Sequence, residues 1–403
     1  MKYLVLGAGP AGLTFVNRLK QLNEDSFMVL EKESVAGGLC RSIMVDGTPL
    51  DIGGGHFLDT RSETANQFIY QFMPYEEWNH YDRNSQIQIS EYKVNSPIES
   101  NIWQFPIEKQ IEYLKDIAAA GCNLGYPMPD KFVDWIGWKL GKKIAEDYMI
   151  PYNMKMYGQD LNALGTYWLD KLPNVNFEDT LRSCLMRKAY GKQPGHHKFL
   201  YPHSSGYGEV WLRMAENVKG HIEYSTEVSA LNLNGHYVIT KNGRSYSADI
   251  IVNTIPWSAF QSISGGPEHI LEKIKRLRHT SVEVRYFSEN INTDAHWIYY
   301  PDMGLPYHRI LVRSNFCSNS RGYWTETRKE RIKKSVSPSL FSYLNEYAYP
   351  LNTLDKPVIM RQLLRCMEEK SVYGLGRWGE HQHYNSDVVV EKAIAMADSF
   401  ANI

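Results

Sequence analysis

The chain has 403 residues and a formal net charge of −1, a length that allows roughly two to three domains with sizeable cores. Near-neutrality argues against a polyanion, so no nucleic-acid partner is expected and any phosphate must be held locally. Five scattered cysteines (Cys40, Cys122, Cys184, Cys317, Cys366) form no C-x-x-C pair, and no apolar run reaches the length of a membrane span. Reduced thiols, no zinc site, no membrane span and a cytoplasmic location are the expectations.

Met1 to Leu6 is a short apolar run, followed directly by Gly7-Ala8-Gly9-Pro10-Ala11-Gly12 and a helical pattern. Strand, glycine turn and helix in that order form the context in which G-x-G-x-x-G binds a dinucleotide. Gly7 permits the tight turn, Gly9 lets backbone approach a pyrophosphate, and Gly12 lets helix and strand pack closely. The helix N-terminus adds free N–H groups and partial positive charge. A second apolar run, Phe27 to Leu30, ends in Glu31, about twenty residues downstream, where a carboxylate can accept hydrogen bonds from a ribose.

Two further glycine clusters follow: Val35-Ala36-Gly37-Gly38-Leu39-Cys40-Arg41-Ser42 and Asp51-Ile52-Gly53-Gly54-Gly55-His56. Backbone there can pass close to a flat ligand, and Arg41 can reach a pyrophosphate. Glu31, Gly37, Gly38 and Arg41 together resemble the Glu-x-x-x-x-x-Gly-Gly-x-x-Arg segment of the FAD-containing amine oxidase and protoporphyrinogen oxidase superfamily. The resemblance implies FAD as cofactor, with Leu39, Gly55 and His56 beside it.

Farther along, a helix is expected over Ser62 to Phe72 and a strand over Gln86 to Val94. From Phe105 to about Tyr190 the pattern is mostly helical. Tyr207 to Val218 reads as a helix, short strands surround the Asn242-Gly243 turn, and Ile250 to Pro256 reads as a buried strand closed by its proline. Aromatic-rich strand patterns fill Val282 to Arg313. Tyr373 to Gly379 is a strand leading into a glycine turn, and Ser386 to Ala401 is a helix. The charged run Lys329 to Lys334 reads as a solvated helix face.

The expected fold is α/β: a Rossmann-type FAD-binding domain, an inserted helical domain, and a second, sheet-bearing substrate domain. FAD-binding segments are expected at 1–100, 201–256 and 366–403, the helical insertion at 101–200, and the substrate domain at 257–365.

Several stretches, in order along most of the chain, resemble the UDP-galactopyranose mutases. Gly53-Gly54-Gly55-His56 is similar to a Gly-Gly-His whose histidine lies against the flavin. Phe105-Pro106-Ile107-Glu108 resembles a stretch near the substrate. Pro151-Tyr152-Asn153-Met154-Lys155-Met156-Tyr157 is similar to a segment with nucleotide contacts at Asn153 and Tyr157. Trp168, Trp297 and Tyr299 fall at substrate-facing positions. Arg309 matches the arginine that grips a diphosphate, and Tyr349 a diphosphate-binding tyrosine. Gly376-Arg377-Trp378-Gly379 resembles a flavin-contacting turn. Two departures stand out. Leu172 replaces a family arginine, leaving the adjacent Lys171, which offers a point charge without a fork. His383 or Tyr384 takes the place of a family tyrosine.

The resemblance implies a catalytic set of Arg309, His56, Tyr349 and Lys171, with N5 of reduced FAD attacking the anomeric carbon of a UDP-galactose-like sugar and no net redox change. It also implies NAD(P)H or a reductase as electron source and a place in cell-surface polysaccharide synthesis, and it is compatible with an oligomer. The alternative is an oxidoreductase of the amine oxidase or protoporphyrinogen oxidase type; a flavin-bearing subunit without turnover is a third reading. Residue by residue, Arg309 in a surface ion pair, Tyr349, Asn153 and Tyr157 in ordinary packing, and His56 as a core histidine are the plainer alternatives.

Overall fold

The computed structural model describes residues 1–169, 176–191, 197–332 and 338–401. At its centre are β1 (Tyr3–Leu6), α1 (Pro10–Gln21) and β2 (Phe27–Leu30). A five-stranded parallel sheet runs in the order Ile222–Glu223, β2, β1, Ile250–Asn253, Val372–Gly374. Parallel sheets are buried on both faces, and β1 shows it. Tyr3 and Val5 enter one core, and Leu4 and Leu6 enter another with Trp257, Met360 and Leu363. On the first face α1 packs against the helix Ser386–Ala401, where the rings of Tyr3, Phe15 and Phe400 stand 5.9–6.0 Å apart. The expected return to the dinucleotide sheet at Ile250 is thus the parallel neighbour of β1.

The second sheet has seven strands, in the order Phe341–Pro350, His279–Phe287, Tyr323–Arg328, Arg309–Val312, Trp297–Tyr299, Ser85–Ile89, Tyr92–Asn95. All neighbours are antiparallel except the parallel pair between Trp297–Tyr299 and Ser85–Ile89. The single strand expected over Gln86 to Val94 is therefore a hairpin, turned at Ser90, whose φ is 50°. The hairpin belongs to the substrate-side sheet although it precedes residue 100.

The helices Ile107–Ala118, Phe132–Ile144, Ile150–Tyr157 and Phe177–Met186 form the insertion. Its core joins Phe132, Ile136 and Ile144 to Ile87, Ile89 and Val94 of the hairpin. A π-turn over Ala145–Met149 leads without a break into Ile150–Tyr157, and Pro151, which has no N–H to donate, falls just after that turn. Of the charged run, Lys329–Arg331 is a single 3₁₀ turn, with Arg331 donating Nη2 to the carbonyls of Met303 and Leu305, while Lys333 and Lys334 lie outside the described residues. Among the described residues, no helix is long and apolar enough to cross a membrane, and no cluster of three or more His, Cys, Asp or Glu could hold a metal.

Candidate active site

A cleft of about 460 Å³ runs along the carboxyl ends of the parallel strands, from Lys241 and Gln261 past Gly9, Gly38 and Arg41 to His56, Arg377 and Tyr384. Ligands of open α/β sheets bind at this edge. The glycines divide the work. Gly7 has φ +103°, and its N–H is held by the carbonyl of Leu30 at 2.8 Å. A Cβ on Gly12 would sit 2.1 Å from the carbonyl of Gly7, so α1 could not approach β1. A Cβ on Gly9 would find only Gly38 Cα, at 3.8 Å; it would stand in the cleft itself. Gly9 is the N-cap of α1 and gives no side-chain cap, and the N-terminus opens on the cleft. These features fit a dinucleotide pyrophosphate.

Glu31 is buried and accepts from the N–H groups of Ala8 at 2.7 Å and Glu33 at 2.9 Å. Its carboxylate thus braces the glycine turn, with lone pairs remaining for a ribose. Burial, only partly offset by those two bonds, raises its pKa. Arg41 is more heavily committed than its sequence position suggests. Nε donates to the carbonyl of Gly38 and Nη2 to the hydroxyl of Tyr343, and Nη1 pairs with Glu33. Leu39 lines the same wall, and its carbonyl lies where a Cβ on Gly53 would be, 1.7 Å away. Gly376, at φ +76°, brings its turn against Ala11, and Arg377 ties that turn to the carbonyls of Tyr384 and Ala348.

His56 closes the cleft at its far end. Burial pushes its pKa down to about 4, with Arg377 adding to the effect, so it is neutral near pH 7. Its ring lies nearly parallel to Tyr207, and Nδ1 is 3.2 Å from the carbonyl of Gly54. Behind this loop stands Glu326, which sequence reading passed over. Its carboxylate accepts from Gly55 N–H at 3.1 Å and from Arg309 at 2.8 and 3.0 Å, and it faces His308 Nε2 at 3.5 Å. Burial opposes ionisation, yet Arg309 and His308 outweigh it and hold the carboxyl well below the usual carboxylate range. An acid on the inward side of the alternating strand Tyr323–Arg328, beside inward Trp324, was the available signal.

Arg309 uses Nε and Nη2 on Glu326, and Nη2 also reaches the Tyr349 hydroxyl at 3.4 Å. Its Nη1 makes no hydrogen bond among the described residues. The ring of His383 packs on Tyr349 at 4.9 Å, whereas Tyr384 lines the dinucleotide cleft and donates to Glu380. His383 thus stands with the Arg309 group and Tyr384 with the dinucleotide cleft.

Beside this group stands an aromatic wall, with Tyr299 paired directly across from Arg309. Tyr152 meets Tyr299 at 5.3 Å and His308 at 5.9 Å, and Tyr157 meets Trp168 at 6.1 Å. Trp168 is fixed by Nε1 donating to the carbonyl of Gly165. The Tyr299 hydroxyl accepts from Arg83 at 2.9 Å and from Trp297 Nε1 at 2.8 Å, which fills its lone pairs and leaves its proton to donate. Asn153 turns its amide onto the carbonyl of Met149 in the preceding π-turn. Phe105 does not reach this wall. It is a core residue of the insertion, packed between Tyr92 and Tyr113, because the 3₁₀ turn Ile102–Gln104 rolls it inward. Lys171 and Leu172 lie outside the described residues.

Residues 5–72 match the model of the NAD(P)-binding Rossmann-like domain. Among curated proteins, an uncharacterised protein in the nifH2 3′ region of Methanothermococcus thermolithotrophicus is 47% identical over 53 residues, 13% of this chain and 50% of that protein. The chain therefore spans about half the length of that relative. A crystal structure of reduced UDP-galactopyranose mutase superposes with a TM-score of 0.89 over 100% of this chain and 94% of that one, at 19% identity. The chain shares the UDP-galactopyranose mutase fold. A protein named as a protoporphyrinogen oxidase, from Exiguobacterium sp. 255-15, follows at a TM-score of 0.76, 13% identity and coverage of 100% and 98%. The mutase fold thus includes the Rossmann-type domain, the helical insertion and the seven-stranded sheet on which Arg309 and Glu326 meet.

Proposed function

We propose that the chain is a flavin-dependent mutase that interconverts pyranose and furanose forms of a nucleotide-linked, UDP-galactose-like sugar. One observation carries the reading. Arg309, with Nη1 uncommitted and Tyr349 and His383 beside it, is joined through Glu326 to the glycine loop that ends in His56. An anion grip and the reactive end of a dinucleotide cleft thereby share one wall.

Reduced FAD, when bound, would supply a nucleophile for the anomeric carbon. The N-terminus of α1 at Gly9, with Arg41 nearby, would hold its pyrophosphate, and Glu31 its ribose. Neutral His56 places no charge against the ring system. Arg309 and Tyr349 would meet the negative charge that gathers on a departing diphosphate, stabilising the transition state more than the ground state. Tyr299 would donate its proton to a sugar oxygen. Tyr152, Tyr157 and Trp168 would exclude water and so strengthen these contacts. Lys171 remains a third candidate for the diphosphate, and NAD(P)H or a separate reductase would supply electrons.

An amine oxidase on this fold would place an ammonium opposite Arg309, which is unfavourable. The deciding experiment is an anaerobic assay of dithionite-reduced protein against UDP-, GDP- and dTDP-sugars, read by product chromatography. Isomer formation that requires reduction supports the mutase. Acceptor or O₂ reduction without an isomer overturns it in favour of the oxidoreductase.

A further inference from the structure

The seven-stranded sheet has a second face, which the candidate active site does not use. Side chains alternate along a strand. On Tyr323–Arg328, Trp324 enters the core and Glu326 meets Arg309, so Tyr323, Thr325 and Thr327 point to the opposite side. There they line a groove of about 270 Å³ together with Glu283, Arg285 and Tyr307. In the ladder Thr325 lies directly across from Arg285, and Thr327 from Glu283. Pockets for drug-sized ligands run to roughly 300–1,000 Å³; this one suits a single small ring.

The floor of the groove carries uncommitted polar groups. Thr325 and Thr327 are each 4% exposed, and neither hydroxyl makes a hydrogen bond among the described residues. Arg285 uses Nε on Glu283 Oε2 at 2.5 Å, while its Nη1 and Nη2 make no hydrogen bond among the described residues. Buried polar groups ordinarily find partners, so these donors and acceptors ask for a ligand.

The rim is aromatic and held in place. The Tyr323 ring lies nearly parallel to Phe287 at 5.3 Å, and Tyr307 stands edge-on to Tyr300 at 5.2 Å. Two cations fasten the loop that carries Tyr307. Buried Lys155 donates to the carbonyls of Tyr300 and Asp302, both at 2.7 Å, and Arg331 donates to those of Met303, Leu305 and Pro306. A rim already ordered costs little to order on binding.

Charge selects the class of ligand. Glu283 neutralises Arg285, and Glu289 adds a negative charge at the lip, so an anion gains little here. An apolar molecule would leave the guanidinium and hydroxyls unpaired. A neutral polyol ring meets every requirement. Its adjacent hydroxyls can accept from Nη1 and Nη2 and donate to the Glu283 carboxylate and the threonine oxygens, while its C–H face lies on an aromatic ring.

We propose that this groove is a second, non-catalytic site for a neutral saccharide, back to back with the Arg309 group across one layer of sheet. Arg285, Glu283, Thr325 and Thr327 hold the hydroxyls, and Tyr307 and Tyr323 flank the ring. A site of this kind retains the protein on a glycan without turning that glycan over. It stands or falls independently of the mutase reading.

The test is saturation-transfer NMR of the purified protein with the methyl glycosides of galactose, glucose and mannose, and with glucuronate as an anionic probe, each with and without excess UDP. At least one neutral glycoside is expected to bind, UDP should leave that binding unchanged, and glucuronate should bind more weakly or not at all. Arg285→Gln and Thr325→Val should each weaken the glycoside by about tenfold, the worth of one hydrogen bond. Circular dichroism and flavin absorbance check the fold. Thr325→Val keeps the side-chain shape and carries the test alone if Arg285→Gln unfolds by stranding Glu283. A parent protein that binds none of the three glycosides overturns the site. So does binding that UDP displaces, which puts the sugar beside Arg309 instead. Unchanged affinity in the folded variants, or glucuronate as the tighter ligand, overturns it as well.

Discussion

Arg309 and Glu326 face each other across adjacent strands and share a two-pronged ion pair, Nε to Oε2 at 2.8 Å and Nη2 to Oε1 at 3.0 Å. Removing one member of a buried pair leaves the other charge uncompensated, at about 3–5 kcal/mol. Arg309→Ala is therefore expected to lose stability as well as roughly a hundredfold in turnover. Adding Glu326→Gln should recover the stability and leave the turnover low. Urea midpoints and assays of the two variants measure this; equal stability of Arg309→Ala and the parent would show that Glu326 does not depend on its partner.

Gly9 and Gly12 belong to one motif but should fail differently. Gly9 has φ −83° and open space at its Cβ, so Gly9→Val should fold with a near-normal melting temperature and lose most of its flavin absorbance. Gly12→Ala must fit a carbon 2.1 Å from the Gly7 carbonyl, and overpacking of this kind costs about 1–3 kcal/mol. Paired melting curves and absorbance spectra distinguish the two; a fully yellow Gly9→Val would remove the pyrophosphate from this cradle.

Arg313 is four residues beyond Arg309, close enough to seem a second anion contact. It is fully buried instead, donating to the carbonyls of Arg321, Val45, Thr48 and Pro49 and to the hydroxyl of Tyr286. Arg313→Ala strands these acceptors and should cost about 3 kcal/mol or more. Thermal denaturation is the readout. A variant that melts with the parent but binds UDP poorly would put Arg313 in the site after all.

Acid should destabilise the protein well above the usual carboxylate range. Burial pushes His296 down to about 4 and His381 to about 3 from 6.5. Unfolded chains therefore take up protons that the folded form refuses, and stability falls as pH drops from about 6.5 toward 4, by about 3 kcal/mol for His296. Asp51 runs the other way: burial pushes it up to about 6 from 3.8, so its contribution is lost as pH rises through that window. With His56, also held near 4, three histidines against one aspartate leave a net loss in acid. Urea midpoints at pH 7 and pH 4.5 should differ, and His296→Asn should flatten part of the slope. Equal midpoints in the parent would rule out neutral buried histidines as the cause.

Much of this was legible because short-range rules governed it. The Gly7 to Gly12 turn, Glu31 and the return strand at Ile250 each depend on local pattern and backbone sterics. Phe105 was misplaced because a Phe-Pro pair before a helix looks alike whether the ring enters a core or a cleft; Tyr92 and Tyr113 decide it. Glu326 was passed over for a different reason. Its value comes from Gly55 and Arg309, which are far from it in sequence on the cofactor side and on the neighbouring strand.

The parallel sheet is assembled from distant segments: β1 pairs with Ile250–Asn253, and that strand in turn pairs with Val372–Gly374. A chain emerging from the ribosome thus holds its first two strands for most of its synthesis before their outer neighbours exist. Apolar edges held open in this way invite mispairing, and pairings this remote in sequence form slowly. The nascent chain should therefore need shelter until the helix Ser386–Ala401 can dock on α1.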